Sequence, residues 1–516
     1  MNRMRELIAE LESRKAKIHE MGGERRVARQ RERGKMTARE RIDVLADEGS
    51  FLEMGIHGSE YKDKLIPADG VICGVGQIDG RWCAITAYDF TVMGGSIGMV
   101  GETKVTRMRE LALRERMPMV WLVDSAGARI DPRPGSVDKI PLFADSGYLF
   151  REQVIMSGVV PQIAAMVGPG AAGTAYIPGL ADFVPMVKGT SSMALGGPPL
   201  VKAAVGEDVT EEELGGSRVH NRESGVADME CKSDQDCLDA VRKYLAYFPS
   251  SCHQKPTPIT DAPGRARLGD EILDVLPEKT TSSYDMKKII EHIVDYADFF
   301  EIKKSYAKSM VTGLARLGGR SVGIVANNPR YLGGVIDSPA AEKAARFVNL
   351  CDAFNIPLIF LVDVPGFLIG SAAERSGIIQ HGSRMLYAVA RATVPKLTVV
   401  IRKAYGAGYY VMCGRAYEPD LFVSWPTGEI SVMGPEGLVS IAMAKALAVA
   451  PNRDDMLKQL ADHLRPHINI YNVAGHAYVD EVIDPRETRK VLIHALERTR
   501  NKTVERPWRK KGVVPV

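Results

Sequence analysis

Residues 403–417 read KAYGAGYYVMCGRAY, and the apolar run Leu397 to Ile401 stands just before them. The run has the composition of a buried strand. Gly406-Ala407-Gly408 then supplies a turn in which the backbone can bend sharply and its amides stay open to an approaching group. The same arrangement occurs earlier, where residues 168–176 read GPGAAGTAY behind the apolar run Ile163 to Val167. A chain that places two small-residue turns behind two apolar runs invites a search for an internal repeat.

Shifted by 239 residues, segment 74–127 lies over 313–366 without a gap, and 16 of the 54 positions are identical. Among them are Gly74 with Gly313, Gly80-Arg81 with Gly319-Arg320, Gly94-Gly95 with Gly333-Gly334, Lys104 with Lys343, Leu122-Val123-Asp124 with Leu361-Val362-Asp363, and Gly127 with Gly366. A shift of 235 then superposes Ala172-Gly173 on Ala407-Gly408, so the two turns are equivalent points of one duplicated unit. Between the copies, residues 250–270 (SSCHQKPTPITDAPGRARLGD) have the Pro, Gly and polar content of a linker. The division expected is 1–255 and 256–516.

Within each copy a strand-like run (WCAITAYDF, SVGIVANN) leads through Gly-Gly into a helix-like segment (Val100 to Arg116, Ala340 to Phe354). A second strand ending in Asp follows (MVWLVD, LIFLVD). Strands alternating with helices predict an α/β domain with a largely parallel sheet. The small-residue turns then sit where strands end and helices begin, where unpaired amides and the helix dipole favour negative charge. Two readings of such a turn compete. Gly and Ala can simply allow a helix to pack close to a strand, or the turn can hold an oxygen on which charge develops, as preorganised amides do for enolates and tetrahedral intermediates. Repetition at equivalent points of two copies favours the second.

Composition narrows the field. The 516 residues are 45% hydrophobic and 25% charged, with a formal net charge of +3, which is ordinary globular balance and asks for neither nucleic acid nor an anionic membrane. No run of eighteen apolar residues appears. The first 21 residues mix Glu with Lys and Arg, unlike a signal or transit peptide, and read as an amphipathic surface helix. Arg25 to Arg41 is basic but interrupted by Glu24, Glu32 and Glu40 and lacks interleaved aromatics, so it is expected to be a solvated or oligomer-contacting helix. Seven scattered cysteines without a CxxC pair suggest reduced thiols and the cytoplasm. No zinc motif is present, and His220 and His292 stand alone, so no metal is expected. A P-loop is missing, and so is a dinucleotide fingerprint followed by its acidic residue.

The longer motifs carry a resemblance. YDFTVMGGSIG (88–98), LVDSAGARI (122–130), GPGAAGTAYIPGLADF (168–183), GTSSMALGGPPLVKAAVGEDVTEEELGG (189–216), VHNRESGVAD (219–228), AEKAARFVNLCDAFNIPLIFLVDVPGFLIG (341–370), GIIQHGSRMLYAVARATVPK (377–396) and WPTGEISVMGPEG (425–437) resemble the carboxyltransferase (β) subunits of biotin-dependent acyl-CoA carboxylases. The resemblance runs from about residue 36 to residue 489. It implies a tandem crotonase-like fold in a homohexamer, with the N-terminal copy on the acyl-CoA side and the C-terminal copy on the carboxybiotin side. By motif position, Ala172 and Gly173 would hold the thioester oxygen of an enolate, and Ala407 and Gly408 the ureido oxygen of biotin. Gly94, Gly95, Ser96, Ser125, Ala126 and Gly127 would border coenzyme A.

The resemblance also implies that biotin itself supplies the base. No biotinyl-lysine motif occurs, AMAKA at 442–446 lacking its flanks, and nothing resembles a biotin carboxylase. Biotin would therefore come on a partner carrier subunit, recharged by a biotin carboxylase. At Tyr410 the pattern departs from acetyl- and propionyl-CoA members and leans toward the methylcrotonoyl and geranyl group, whereas VDVPGFLIG and ATVPK look like the propionyl group. Tyr410 is thus the candidate acyl-pocket residue, and the substrate expected is a short or medium acyl-CoA. A biotin-dependent decarboxylase or transcarboxylase subunit, a crotonase-type hydratase or isomerase, and a non-catalytic assembly subunit are the other readings.

Overall fold

Asp79-Gly80 and Gly318-Gly319 close two matching hairpins in the computed structural model, which describes residues 3–60, 65–129, 147–259, 269–279 and 282–515. All four turn residues have positive φ, the requirement of the two-residue turn that matches strand twist. The chain divides into two compact units, 1–254 and 255–516. Of the expected linker, residues 260–268 lie outside the described residues.

In the first unit the strands are β1 (Leu52–Met54), β2 (Val71–Ile78), β3 (Arg81–Tyr88), β4 (Met119–Ser125), β5 (Gln162–Ala171), β6 (Pro185–Val187), β7 (Ser192–Ala194) and β8 (Met229–Cys231). They form one sheet in the order β1-β2-β3-β4-β5-β6-β8, with β7 added to the end of β5. The second unit has β9 (Phe299–Ile302), β10 (Met310–Leu317), β11 (Arg320–Asn327), β12 (Leu358–Val364), β13 (Lys396–Tyr405), β14 (Leu421–Ser424), β15 (Glu429–Ser431) and β16 (Glu481–Val482). Their order, β9-β10-β11-β12-β13-β14-β16 with β15 added to β13, repeats the first strand for strand. Each sheet is antiparallel up to the hairpin and parallel beyond it.

The crossovers follow from the patterning. The helix Met99–Glu115 joins β3 to β4 and buries Val105, Met108, Leu111 and Ala112. The helix Ser338–Ala353 joins β11 to β12 and buries Ala341, Ala344, Ala345 and Val348. Both sheets are nearly continuous in Val, Ile, Leu and Ala because helices cover their parallel strands, as buried parallel sheets require. Trp121 on β4 and Phe360 on β12 stand at the same register position, and both are fully buried.

The expectation of a solvated or oligomer-contacting helix over Arg25 to Arg41 fits the exposed Arg25, Arg26, Arg29, Arg31 and Arg33 and is corrected at Lys35 and Arg41. Helices Glu24–Glu32 and Ala38–Leu45 form there, the second started by a capping box between Thr37 and Glu40. Lys35 and Arg41 are buried, however: Lys35 Nζ lies 2.8 Å from Asp124 Oδ1, while Arg41 binds Asp124 Oδ2 at 2.8 Å and Asp234 Oδ2 at 2.7 Å. These cations are internal counterions.

Candidate active site

In each unit three loops leave the carboxyl ends of adjacent parallel strands, the usual place for a ligand in such sheets. The loops of the first unit follow β3 (residues 93–98), β4 (125–128) and β5 (172–173). They are stitched together by backbone bonds, Ala126 N to Gly94 O at 2.9 Å and Ile97 N to Gly127 O at 2.9 Å. The second unit repeats the stitch with Ile336 N to Gly366 O at 3.1 Å. β4 slips register between Val123 and Ser125, and β12 between Val362 and Val364, so Asp124 and Asp363 sit at the same irregularity.

The identical Gly-Gly pairs have a steric cause. A Cβ on Gly95 would lie 2.4 Å from Asp124 O, and one on Gly334 would lie 2.5 Å from Asp363 O. No other residue lets these loops pass so close to the neighbouring strand.

The sequence-predicted residues fall into two layers in the first unit. Ala126 and Ala172 are exposed and Gly94 and Gly173 half-buried, whereas Gly95, Ser96, Ser125 and Gly127 are buried beneath them. Ser125 Oγ donates to Gly95 O at 2.7 Å and accepts from Gly127 N at 3.1 Å, so its hydroxyl braces the loops. Ser96 is likewise held from within, its carbonyl accepting from Arg129 Nη2 at 3.0 Å. Arg129 was not among the residues expected from sequence. It also binds Glu60 at 2.8 Å and Asp69 at 2.9 Å, and its signal was the Arg closing the SAGAR motif.

At the turn after β5 one expectation is corrected. Ala172 N does not remain free for a substrate oxygen but donates to Ala194 O on β7 at 3.0 Å. Ala172 adopts φ 51°, ψ −122°, a strained conformation for a residue with a Cβ, and strain of this kind concentrates at functional sites. It caps the helix Gly173–Leu180, whose first amides, Gly173 and Thr174, have no intrahelical acceptor by position. Of the expected pair of amides, that of Ala172 is thus occupied by β7 in this structure.

The turn after β13 is built differently. The helix Gly406–Val411 begins two positions earlier in the alignment, and Gly406 takes the positive φ (56°). Ala407 and Gly408 both fall in its first turn, where amides lack intrahelical acceptors. Ala407 is exposed, and Gly408 is buried so tightly that a Cβ would lie 2.8 Å from Val364 Cγ2. Tyr410 is 47% exposed on the same helix, its ring 6.3 Å from that of Tyr417.

Burial pushes the Asp363 carboxyl above its ordinary range, and Arg402 at 3.0 Å pulls against that. In the first unit burial lowers the Lys35 amine despite the Asp124 carboxylate beside it. Among the described residues no group of three or more His, Cys, Asp or Glu side chains converges to hold a metal. No helix of the described residues is long and apolar enough to cross a membrane.

Two tandem sheets of one topology, each ending in a small-residue helix start, define the class. The chain matches the carboxyl transferase domain over residues 29–514, and it belongs to that family. It is 40% identical over 520 residues to the propionyl-CoA carboxylase carboxyltransferase subunit of Haloferax mediterranei, covering 99% of this chain and 100% of the relative. It is also 40% identical over 525 residues to the methylmalonyl-CoA decarboxylase subunit alpha of Veillonella parvula, covering both chains completely. The crystal structure of the transcarboxylase 12S hexamer with methylmalonyl-coenzyme A and methylmalonic acid bound superposes with a TM-score of 0.93 at 40% identity, covering 100% of this chain and 99% of that one. The chain is a carboxyltransferase enzyme of the propionyl-CoA carboxylase and transcarboxylase type, with the tandem crotonase-like fold.

Proposed function

We propose that the chain moves a carboxyl group between biotin, borne by a partner subunit, and the α- or vinylogous γ-carbon of a short or medium acyl-CoA. The observation that carries this is the pair of helix starts at equivalent strand ends, one in each unit. Each offers backbone donors without a side chain in the way, and each suits an oxygen that gains charge. In the first unit the Gly173 amide would steady the thioester oxygen as the enolate forms, with Gly94 and Ala126 exposing the neighbouring loop edges to coenzyme A. In the second unit Ala407 and Gly408 would receive the ureido oxygen, and Gly408, where a Cβ would strike Val364, lets that turn pack close to the end of β12. Bound biotin supplies the carboxyl group and, once relieved of it, the base. The chain's own residues supply position and charge stabilisation.

The carboxylates bordering the first loops support this over a hydratase or isomerase, which needs a free acid at the thioester. Asp124 is held by Lys35 and Arg41, and Asp69 by Arg129 and the Gly101 amide. Equal identity to a carboxylase subunit and to a methylmalonyl-CoA decarboxylase subunit keeps decarboxylation as the second reading, with the same site run in reverse. We further propose a homohexameric core, after the transcarboxylase 12S neighbour, and a cytoplasmic setting that suits seven free thiols.

The test is decarboxylation of malonyl-, methylmalonyl- and 3-methylglutaconyl-CoA by the purified chain with free biotin as acceptor. Biotin-dependent turnover of one of them is expected and names the acyl group. Binding of all three without turnover would overturn the transfer reading.

A further inference from the structure

The second turn is tied down by a polar chain, buried at Tyr405 and Glu429, that has no counterpart at the first turn among the described residues. Tyr405 immediately precedes Gly406-Ala407-Gly408, and its hydroxyl donates to Glu429 Oε2, with both residues buried. Glu429 lies on β15, in register with Lys403 of β13, and its other oxygen is 3.5 Å from Arg465 Nη1. Arg465 Nη2 reaches Glu436 at 2.7 Å, in the first turn of the helix Pro435–Ala442. The segment around Glu429 is fastened again by Ile430 N to Ile468 O at 3.1 Å and by a bridge between Glu429 and Asn469. The Tyr405 ring fits beside Gly434, where a Cβ would stand 3.4 Å from the ring.

The equivalent of Tyr405 in the first unit is Gly170, where a Cβ would meet Met166 Cε at 2.8 Å. There β7 holds its turn through a backbone bond, Ala172 N to Ala194 O. The second turn has no counterpart to that bond among the described residues, and an added strand alone leaves its amides unanchored. A side-chain bond replaces the backbone one. Two amides stay available as a result, where the first turn keeps its Ala172 amide occupied.

We infer that Tyr405 is a positioning residue for the second turn. Its hydroxyl, through Glu429 and Arg465, fixes the Ala407 and Gly408 amides in the orientation that receives the biotin oxygen. This rests on the reading of that turn as the biotin side.

Tyr405→Phe keeps the ring and removes the bond. Loss of a well-placed donor geometry of this kind should lower kcat for biotin-dependent decarboxylation about tenfold, with KM for the acyl-CoA unchanged. Hydrogen exchange in peptide 403–412 should quicken about fivefold while peptide 168–176 stays at the wild-type rate. Glu429→Gln, which keeps an acceptor for Tyr405 but gives up the ion pair with Arg465, should lower kcat less than Tyr405→Phe does. Wild-type kcat in Tyr405→Phe overturns the proposal whatever the exchange shows. Should the wild-type chain turn over no acyl-CoA, the reading of function falls on its own, and equal exchange at 403–412 in both proteins then overturns the positioning role separately. If Tyr405→Phe does not fold, Arg465→Met, which frees Glu429 from its partly exposed side, takes its place in the kcat measurement, and wild-type kcat there overturns the proposal equally.

Discussion

Asp124 and Asp363 occupy one register position in two sheets, and each turns its carbonyl toward the second glycine of a Gly-Gly loop. Their carboxylates are neutralised from different parts of the chain. Asp124 is met by Gln30 at 2.9 Å, Lys35 at 2.8 Å and Arg41 at 2.8 Å, all from two N-terminal helices and the turn between them. Asp363 is met by Arg402 at 3.0 Å from the adjacent strand and by the Tyr284 hydroxyl at 2.8 Å. Duplication preserved the backbone, which steric contact enforces. It left the counterions free to diverge, because a buried carboxylate needs some compensating charge and hydrogen bonds but no particular supplier.

The largest test of that difference is removal of a supplier. Arg41→Ala takes one cation from Asp124, which keeps Lys35 and Gln30, and the ion-pair partner from Asp234, which keeps the Met36 amide; breaking a buried pair from one side typically costs about 3–5 kcal/mol. Urea unfolding should show that loss with a signal from the first unit, Trp121 fluorescence for instance. Arg402→Ala should cost less, because Tyr284 and the Lys403 amide still hold Asp363. Equal losses would mean that the two counterion sets are interchangeable after all.

Next is the contrast between the two turns. A Cβ at Gly408 meets Val364 at 2.8 Å, whereas one at Gly173 meets only Phe150 Cζ at 3.4 Å, an ordinary contact. Gly408→Ala should therefore already displace a donor, worth about 2.7–4 kcal/mol of transition-state stabilisation, or roughly a hundredfold or more in kcat with free biotin. Gly173→Ala should be nearly silent, and Gly173→Val should be needed to impair use of the thioester. Carboxyl-transfer kinetics with both substrates varied would separate them. Full activity in Gly408→Ala and Gly173→Val alike would sink the two-turn mechanism.

The steric half of this architecture was legible in the sequence. Gly95 with Gly334 and Gly127 with Gly366 recur because side chains there would strike backbone or strain it, so the repeat could be read without coordinates. The alternation of strand and helix was legible for a similar reason, since covered parallel strands must be apolar. What could not be read depends on contacts distant in sequence. Lys35 and Arg41 find Asp124 from 89 and 83 residues away, and a basic stretch looks the same whether it faces water or a buried acid. The capture of the Ala172 amide depends on β7, three residues long, adding itself to the end of β5. Arg129 and the Tyr405 to Glu429 bond were hidden likewise, although each lies inside or beside a motif already singled out.

Tyr410 offers a gentler probe. It is exposed beside Ala407 and Gly408, and we propose that it borders the acyl pocket. Tyr410→Asp should shift the ratio of kcat/KM between propionyl- and longer acyl-CoA by about 1–3 kcal/mol, the scale of a methylene in an apolar pocket. A constant ratio across substrates would remove Tyr410 from the pocket.

The smallest expected effect concerns the aligned lysines. Lys104 Nζ donates to Ala68 O at 2.7 Å and to Val71 O at 2.5 Å, and Lys343 Nζ donates to Lys303 O and Tyr306 O, each at 2.9 Å. Both pin the backbone that precedes the hairpin, one in each unit. Burial pushes the Lys343 amine down to about 7, with nearby Glu301 opposing and Lys303 and Lys287 assisting. A lysine whose folded pKa lies below its unfolded value of about 10.5 binds its proton more tightly when unfolded. Between about pH 7 and 10.5 the unfolded chain therefore holds the extra proton, and this group's contribution to stability rises with pH across that window and is flat below it. The slope it adds is at most about 1.4 kcal/mol per pH unit. Lys343→Met should flatten the rise in unfolding free energy between pH 7.5 and 9.5, and Lys104→Met should flatten it as well, since burial lowers that amine too. Identical slopes in wild type and Lys343→Met would show that its carbonyl partners keep the amine charged throughout, and that the two lysines, like the two glycine pairs, are the same device twice.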